Sequence, residues 1–504
     1  MAEDAVSPEP YFDLAVDDFG PIARGRVRFR PLTLLIGPNN TGKSYLAMLA
    51  RALMAQPPAA SYVPPKGFTE ALEGASTAWA EVVEQASELG QEGEVFVPPA
   101  LVAAARKAYL SADYLPWLSG ELPRLFGTPL SGLVRSGQSR FRMLTRSGSS
   151  AAAFRSAGRR LAASLRGSPP SGCLQLGPEF VAELCLGMEN GRPVVGTGEL
   201  SVHAQGRRGD PLDDLRGHVY LLGMASMSVP RCLYLPAARS GLLQVHREIS
   251  ESALRSAAGL RPPRDAGDPA DEGQVLYSGV VGDFLATVYR RPILRLRTGR
   301  KVGEIADDLA REVTCGTVDL QKTGPGGGRN VVYQSHAGEM ALHRTSSAIA
   351  EVAPLVLYLK YHVWPDTVLI IEEPEAHLHP ENQRRLAKYL VRLIRAGVRL
   401  VLTTHSDVLV SQLDNFIPMS QLSAKDRKKR HDYGPDDYLR PEEVGAYVFE
   451  WQEGGGPEAG SVIRELNVTL EDGIPQDEFM RVLDPMHTER VKLERDLMRQ
   501  GDHG

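Results

Sequence analysis

Gly37-Pro38-Asn39-Asn40-Thr41-Gly42-Lys43-Ser44 decides how this chain is read. The stretch fits the phosphate-binding pattern G-x-x-x-x-G-K-[ST], and its flanks are those the pattern needs. Leu32-Thr33-Leu34-Leu35-Ile36 before it is a short apolar run that reads as a buried parallel strand, and residues 45–53 after it read as a helix. Strand, glycine-bounded turn and helix aim successive backbone N–H groups and a helix N-terminus at one point, which suits a triphosphate. Gly37, Pro38, Asn39, Asn40, Thr41, Gly42 and Tyr45 are therefore expected around the nucleotide, with Lys43 on the β- and γ-phosphates and the Ser44 hydroxyl on Mg²⁺. The plainer alternative is a glycine turn with an incidental lysine.

At 504 residues the chain has room for about three domain-sized pieces. A net charge of -5 argues against a protein that coats nucleic acid through its overall field, while leaving local basic patches open. Cys173, Cys185, Cys232 and Cys315 lack C-x-x-C spacing, so neither a zinc site nor a disulfide framework is indicated, and a reducing cytoplasm fits. Residues 1–10 are acidic without an apolar leader core, and no run approaches the roughly twenty apolar residues of a membrane span. A soluble cytoplasmic protein with no membrane partner is expected.

Upstream of the loop, residues 11–16 and 26–29 alternate apolar and polar positions, as an antiparallel hairpin feeding the loop strand would. From 56 to 168 the texture turns Ala-rich and helix-compatible, broken by prolines and glycines, and reads as an inserted helical subdomain. Within it Arg135, Arg140, Arg142, Arg146, Arg155, Arg159, Arg160 and Arg166 follow one another with no Asp or Glu between them. Such a run could grip phosphates or an acidic partner, or simply be a solvated helix face. Residues 173–202 read as a β-meander around Glu189-Asn190-Gly191. Leu233-Tyr234-Leu235 then makes a short buried strand, and Arg239 beyond its carboxyl end either faces the ligand crevice or pairs with a surface carboxylate. Residues 262–273, rich in Pro, Gly and Asp, read as a disordered loop. Short strands recur from 313 to 341, and a helix begins at Ser346 or Ser347, with a kink expected at Pro354.

Val368-Leu369-Ile370-Ile371-Glu372-Glu373 is an apolar run ending in two carboxylates, the form of a Walker B strand. In such a strand the first acid supports Mg²⁺ and the second polarises the attacking water. Adjacent acids closing a buried strand are otherwise hard to justify, because unpaired buried charge is costly. After Pro374-Glu375-Ala376-His377-Leu378-His379-Pro380, residues 381–395 form an amphipathic helix with Leu386, Leu390 and Leu393 inward. Residues 398–402 form another buried strand, ending in Thr403-Thr404-His405-Ser406. His405, one helix and one strand beyond the acids, is placed as a γ-phosphate sensor; the bland alternative is a structural histidine.

Together the phosphate loop, LYLPAARS (233–240), TSSAIAEVAPL (345–355), IIEEPEAHLHP (370–380) and TTHS (403–406) resemble the OLD-like and RecF-like AAA-type ATPases, relatives of ABC and SMC ATPases. Order and spacing match over most of 11–416, and E-E-P-E-A-H-L-H-P is the specific part. The resemblance implies an α/β fold of the ABC-type ATPase head, a P-loop NTPase core with an antiparallel β subdomain. It also implies ATP sandwiched between two protomers, Ser346 and Ser347 reaching the partner's γ-phosphate, and work in DNA repair or anti-phage defence beside a nuclease. The L-S-G-G-Q signature is reduced here to Ser346 and Ser347, Glu372 stands where an aspartate is usual, and no heptad segment suggests a coiled-coil arm.

The expected division is 1–55 for the first part of the head, 56–170 for the helical insert, 171–416 for the rest of the head and 417–504 for a small α+β C-terminal region. That last region holds a basic run at 425–430, read as a loop, and a packed helical end at 476–498 interrupted by Pro485. Catalysis is expected from Glu373, His405 and Lys43, and Mg²⁺ binding from Ser44 and Glu372. The partners expected are a second copy or higher homo-oligomer and a separate nuclease or toxin effector, with DNA left open. A repair ATPase acting directly on DNA is the main alternative, and an ABC transporter ATPase a weaker one.

Overall fold

The loop strand is Leu32–Ile36, and all five residues are buried. Its side chains alternate between two cores: Leu35 packs on one face of the sheet, while Leu32, Leu34 and Ile36 pack on the other. Its parallel neighbours behave in the same way. In Val368–Glu372, Val368 and Ile370 share the core of Leu35, and Leu369 and Ile371 share that of Leu32. Such strands are apolar along their whole length because helices cover both faces. The helix Lys43–Leu53 covers the first face with Leu46, Leu49 and Leu53. The helices Ser347–Tyr361, Pro380–Arg395 and Asp407–Asp414 cover the second.

The computed structural model describes residues 11–55, 64, 67–73, 79–81, 83–84, 92–97, 99–133, 139–146, 179–186, 193–194, 200–205, 219–220, 231–243, 278–289, 300–323, 328–452 and 459–501. Among these, eleven strands form one sheet. Its parallel part runs Val444–Gln452, Leu32–Ile36, Arg399–Thr404, Val368–Glu372, Cys232–Leu235, so the strand ending at Thr404 lies between the loop strand and the acidic strand. The hairpin Phe12–Phe19 with Ile22–Phe29 is antiparallel, as expected, and continues the same sheet. The fold is thus α/β, with a parallel core built on the loop strand and an antiparallel part in the same sheet.

The C-terminal region is not an appendage. Val444–Gln452 and Gly460–Leu466 insert between the hairpin and the loop strand and join the two halves of the sheet. The insert is likewise not purely helical: Ser139–Arg146 is a strand that pairs with Phe12–Phe19 and carries Arg140, Arg142 and Arg146. The helix-face reading of the arginine run therefore fails at those three positions. Arg135, Arg155, Arg159, Arg160 and Arg166, like the loop 262–273 and Cys173, lie outside the described residues.

The basic run is a helix, Ala424–His431, and not a loop. Ser423 caps it by accepting from the Asp426 N–H, a signal present in the sequence as S-x-x-D. Arg427 of that run is buried, donating to the carbonyls of Met419, Leu422 and Pro435. Ser347–Tyr361 runs on through Pro354, and the last helix, Asp477–Gly501, runs on through Pro485. That helix is not packed along its length, since Met480, Met486 and Leu493 are exposed.

Candidate nucleotide site

Three adjacent parallel strands deliver the three motifs to one edge of the sheet. Leu32–Ile36 leads into the loop, Val368–Glu372 into the acidic pair and Arg399–Thr404 into His405. Ligands of open α/β sheets bind beyond such carboxyl ends. Two glycines let the loop form. Gly37 has φ 142°, and a Cβ there would lie 2.7 Å from the Phe449 carbonyl oxygen; Gly42 has φ 95° and would press a Cβ to 2.8 Å from Ile22. Asn40 also has positive φ, which asparagine tolerates better than most residues. Pro38, Asn39, Asn40 and Ser44 are exposed, whereas Thr41 is buried and donates from Oγ1 to the Pro38 carbonyl.

Lys43 is buried, with Nζ 2.7 Å from the Gly37 oxygen and 2.6 Å from the Pro38 oxygen, so its ammonium bridges the start of its own loop. Burial pulls its pKa down, against the opposing pull of Glu373, Glu375 and Glu372. Three carboxylates thus gather near one ammonium. Glu372 accepts from the Ala237 N–H through Oε2 at 3.1 Å, while its buried Oε1 lacks a well-formed hydrogen bond among the described residues, the buried Tyr234 hydroxyl being its polar neighbour. An uncompensated buried acceptor in an acid-rich pocket fits a divalent cation held by a hydroxyl, one carboxylate and phosphate oxygens.

Glu373 is fixed through its backbone. Its φ is 42°, unusual for a residue with a Cβ, and its N–H donates to Thr403 O at 2.9 Å and Thr403 Oγ1 at 3.2 Å. The side chain is half-buried, with Oε1 3.8 Å from His405 Nδ1. A carboxylate and an imidazole this close, at the edge of the loop, can share the handling of a water proton.

Arg239 corrects the reading that placed it against the nucleotide. Its guanidinium is buried and donates to the carbonyls of Glu351, Pro236, Glu372 and Glu373, with Glu351 Oε1 2.7 Å from Nη2. Arg239 therefore braces the backbone of the acidic pair from behind. The partner is a buried carboxylate, not the surface one of the alternative reading. Tyr45 is corrected likewise for its side chain. The ring packs against Phe126 at 5.2 Å and Phe19 at 6.0 Å and lies over Gly20, where a Cβ would meet it at 2.4 Å. Ser346 and Ser347 are exposed at the start of Ser347–Tyr361, and Ser346 makes no side-chain cap bond.

Glu375, quoted in the motif without a role, is the acid that sequence reasoning missed. It is buried and accepts through Oε1 from Thr404 Oγ1 at 2.7 Å and from the His405 N–H at 3.1 Å, fixing where the histidine begins. Desolvation raises its pKa above the ordinary 4.5, only partly offset by these hydrogen bonds. The folded state thus favours the protonated acid. That contribution to stability is complete below the unfolded pKa and is lost as pH rises through the folded one. Glu375→Gln removes the titration, so wild-type unfolding free energy minus that of the variant is expected to be larger at pH 5 than at pH 8. Urea denaturation at both values measures it, and a flat or inverted difference would contradict the burial argument.

Residues 335–411 match the family model described as "AAA domain, putative AbiEii toxin, Type IV TA system", well under half of the chain. No curated protein matches. Among solved structures, the SMC head bound to the C-winged helix domain of ScpA is similar at 13% identity and TM-score 0.37, covering 91% of this chain and 98% of that one. The Smc head with an extended coiled coil bound to the C-terminal domain of ScpA, from Pyrococcus furiosus, is similar at 12% identity and TM-score 0.39, covering 95% and 99%. The SMC head domain from Thermotoga maritima follows at 10% identity and TM-score 0.34, covering 90% and 98%. These overlaps are too loose to carry any function to this chain.

Proposed function

We propose that this chain is an ATP-binding and ATP-hydrolysing switch of ABC type that dimerises around the nucleotide and controls a separate effector, a nuclease or toxin, in bacterial defence. The observation that carries the reading is the meeting of loop, acidic pair and histidine at one sheet edge, with His405 Nδ1 3.8 Å from Glu373 Oε1. In this reading Lys43 and the loop N–H groups hold the phosphates, and Ser44 and Glu372 hold Mg²⁺. Glu373 takes the proton of the attacking water and His405 senses the γ-phosphate. Ser346 and Ser347, exposed on a helix start, reach the γ-phosphate of a second protomer. Purified chain with Mg²⁺-ATP is expected to release phosphate, and to form dimers when the ATP cannot be hydrolysed. A chain that binds no nucleotide would overturn the proposal.

The exposed cations Lys425, Lys428, Lys429 and Arg430 on one short helix favour a second reading, a repair ATPase acting directly on DNA. DNA-stimulated turnover by the isolated chain would select it; co-purification with an effector chain would select the first.

In either reading DNA cleavage is assigned to another protein. Phosphodiester hydrolysis usually needs clustered carboxylates around one or two metal ions. Asp437 and Glu443 are buried and committed to Arg392 and Arg395. Highly purified chain with Mg²⁺ or Mn²⁺ is expected to leave plasmid and linear DNA intact. Cleavage that disappears in a variant carrying Asp436→Ala and Glu442→Ala would reveal a nuclease site in this region.

A further inference from the structure

We infer that the cleft beside the phosphate loop is a nucleobase subsite, in which the indole of Trp451 stacks on the purine of the nucleoside triphosphate whose phosphates lie on 37–44. The inference rests on the nucleotide reading above and adds a site for the other end of the same ligand. It starts from register. Val444–Gln452 runs parallel to the loop strand with Val448 opposite Ile36, so Phe449, Glu450 and Trp451 continue alongside the first residues of the loop. The missing side chain of Gly37 permits that approach, because the Phe449 carbonyl occupies the space a Cβ would need.

The two segments bound a cleft of about 570 Å³, with Pro38 to Thr41 on one wall and Trp451, Glu478 and Arg481 on another. This volume is within the range of about 300–1,000 Å³ typical of small-molecule sites. Trp451 is 55% exposed, and an indole left in water beside an anion-binding loop is well placed to be covered by an aromatic ligand. Phe449, which also borders the cleft, is fully buried, and the Tyr45 ring is turned onto Phe126 and Phe19.

The polar groups at the rim of the cleft are paired in two ion pairs. Arg481 donates to Glu478 at 2.9 Å, and Glu450 accepts from Arg464 at 2.6 Å. Carboxylates at this rim can accept from the exocyclic amino group of a purine, and a guanidinium can donate to a ring nitrogen. A flat apolar platform with a few donors and acceptors at its rim is the arrangement a base requires.

The test compares ATP with inorganic tripolyphosphate, each with Mg²⁺, by titration calorimetry on the full chain and on Trp451→Ala and Trp451→Phe. Base–aromatic stacking predicts that Trp451→Ala weakens ATP by about 5- to 100-fold, leaves tripolyphosphate within about twofold, and that Trp451→Phe recovers most of the loss. Unchanged ATP affinity in Trp451→Ala would overturn the subsite. So would equal losses for both ligands, which would make Trp451 a support of the loop and not a platform for the base. Wild-type protein that binds tripolyphosphate as tightly as ATP would also overturn it, while leaving the phosphate-loop reading intact. Wild-type protein that binds neither ligand would overturn both.

Discussion

Lys43→Ala is expected to lower ATP turnover by a factor of about a hundred to a thousand, the scale on which one preorganised donor acts on developing phosphate charge in a shielded site. Nucleotide binding is expected to weaken with it. Lys43 is buried, and its Nζ is within 2.7 Å of the Gly37 and Pro38 oxygens. The ammonium is therefore already held where the terminal phosphates must arrive, and little side-chain freedom remains to be lost when they do. Alanine removes the positive charge that faces Glu372 and Glu373, so the phosphates would enter a pocket of like charge. Two loop hydrogen bonds are lost as well. Lys43→Arg keeps a charge but brings a planar fork to a site holding a compact ammonium, and is expected not to restore activity. Calorimetric ATP binding and phosphate release measure both effects, with urea unfolding as the control for folding. Wild-type affinity and turnover in Lys43→Ala would sink the assignment of the loop.

Glu373→Gln is expected to keep ATP bound while slowing hydrolysis by about a hundredfold or more, the scale of a lost general base. The structure makes this a clean substitution. The backbone of residue 373 is fixed by Thr403, which takes its N–H, and by Arg239, which donates to its carbonyl at 3.0 Å. Neither contact involves the carboxylate. A glutamine of the same shape can occupy the place without moving the turn, and loses only the ability to accept a proton. With hydrolysis blocked, the ATP-bound dimer should accumulate, which sedimentation with and without Mg²⁺-ATP would detect. Hydrolysis at the wild-type rate would transfer the role of base to Glu372, Glu375 or His405.

The elements that were legible in the sequence are those whose chemistry is written in adjacent residues. The phosphate loop, the acidic pair and Thr404-His405 each need only a short apolar strand and the turn that follows it, and all three lie at the same sheet edge in the structure. The hairpin was legible for the same reason, since neighbouring strands with alternating side chains pair locally. The basic run was misread although its cap was in view: Ser423 lies three residues before Asp426, a helix start that the density of lysine and arginine concealed. The burial of Asp437 and Glu443 was not legible, because nothing adjacent to them shows that Arg392 and Arg395, more than forty residues earlier, pair with them.

By itself, then, the sequence determined a glycine-bounded turn between strand and helix, an acidic strand end and a histidine, in that order. Backbone propensity and hydrophobic period are local, and those motifs depend on little else. Only the tertiary structure decided that Arg239 faces inward to Glu351, that Tyr45 belongs to the core, and that the strand carrying Trp451 runs beside the loop more than four hundred residues before it. The first two depend on how helices distant in sequence pack on the sheet, and the third on register between distant strands. Register follows from which apolar faces the whole chain can bury together, and no single stretch of residues carries that information.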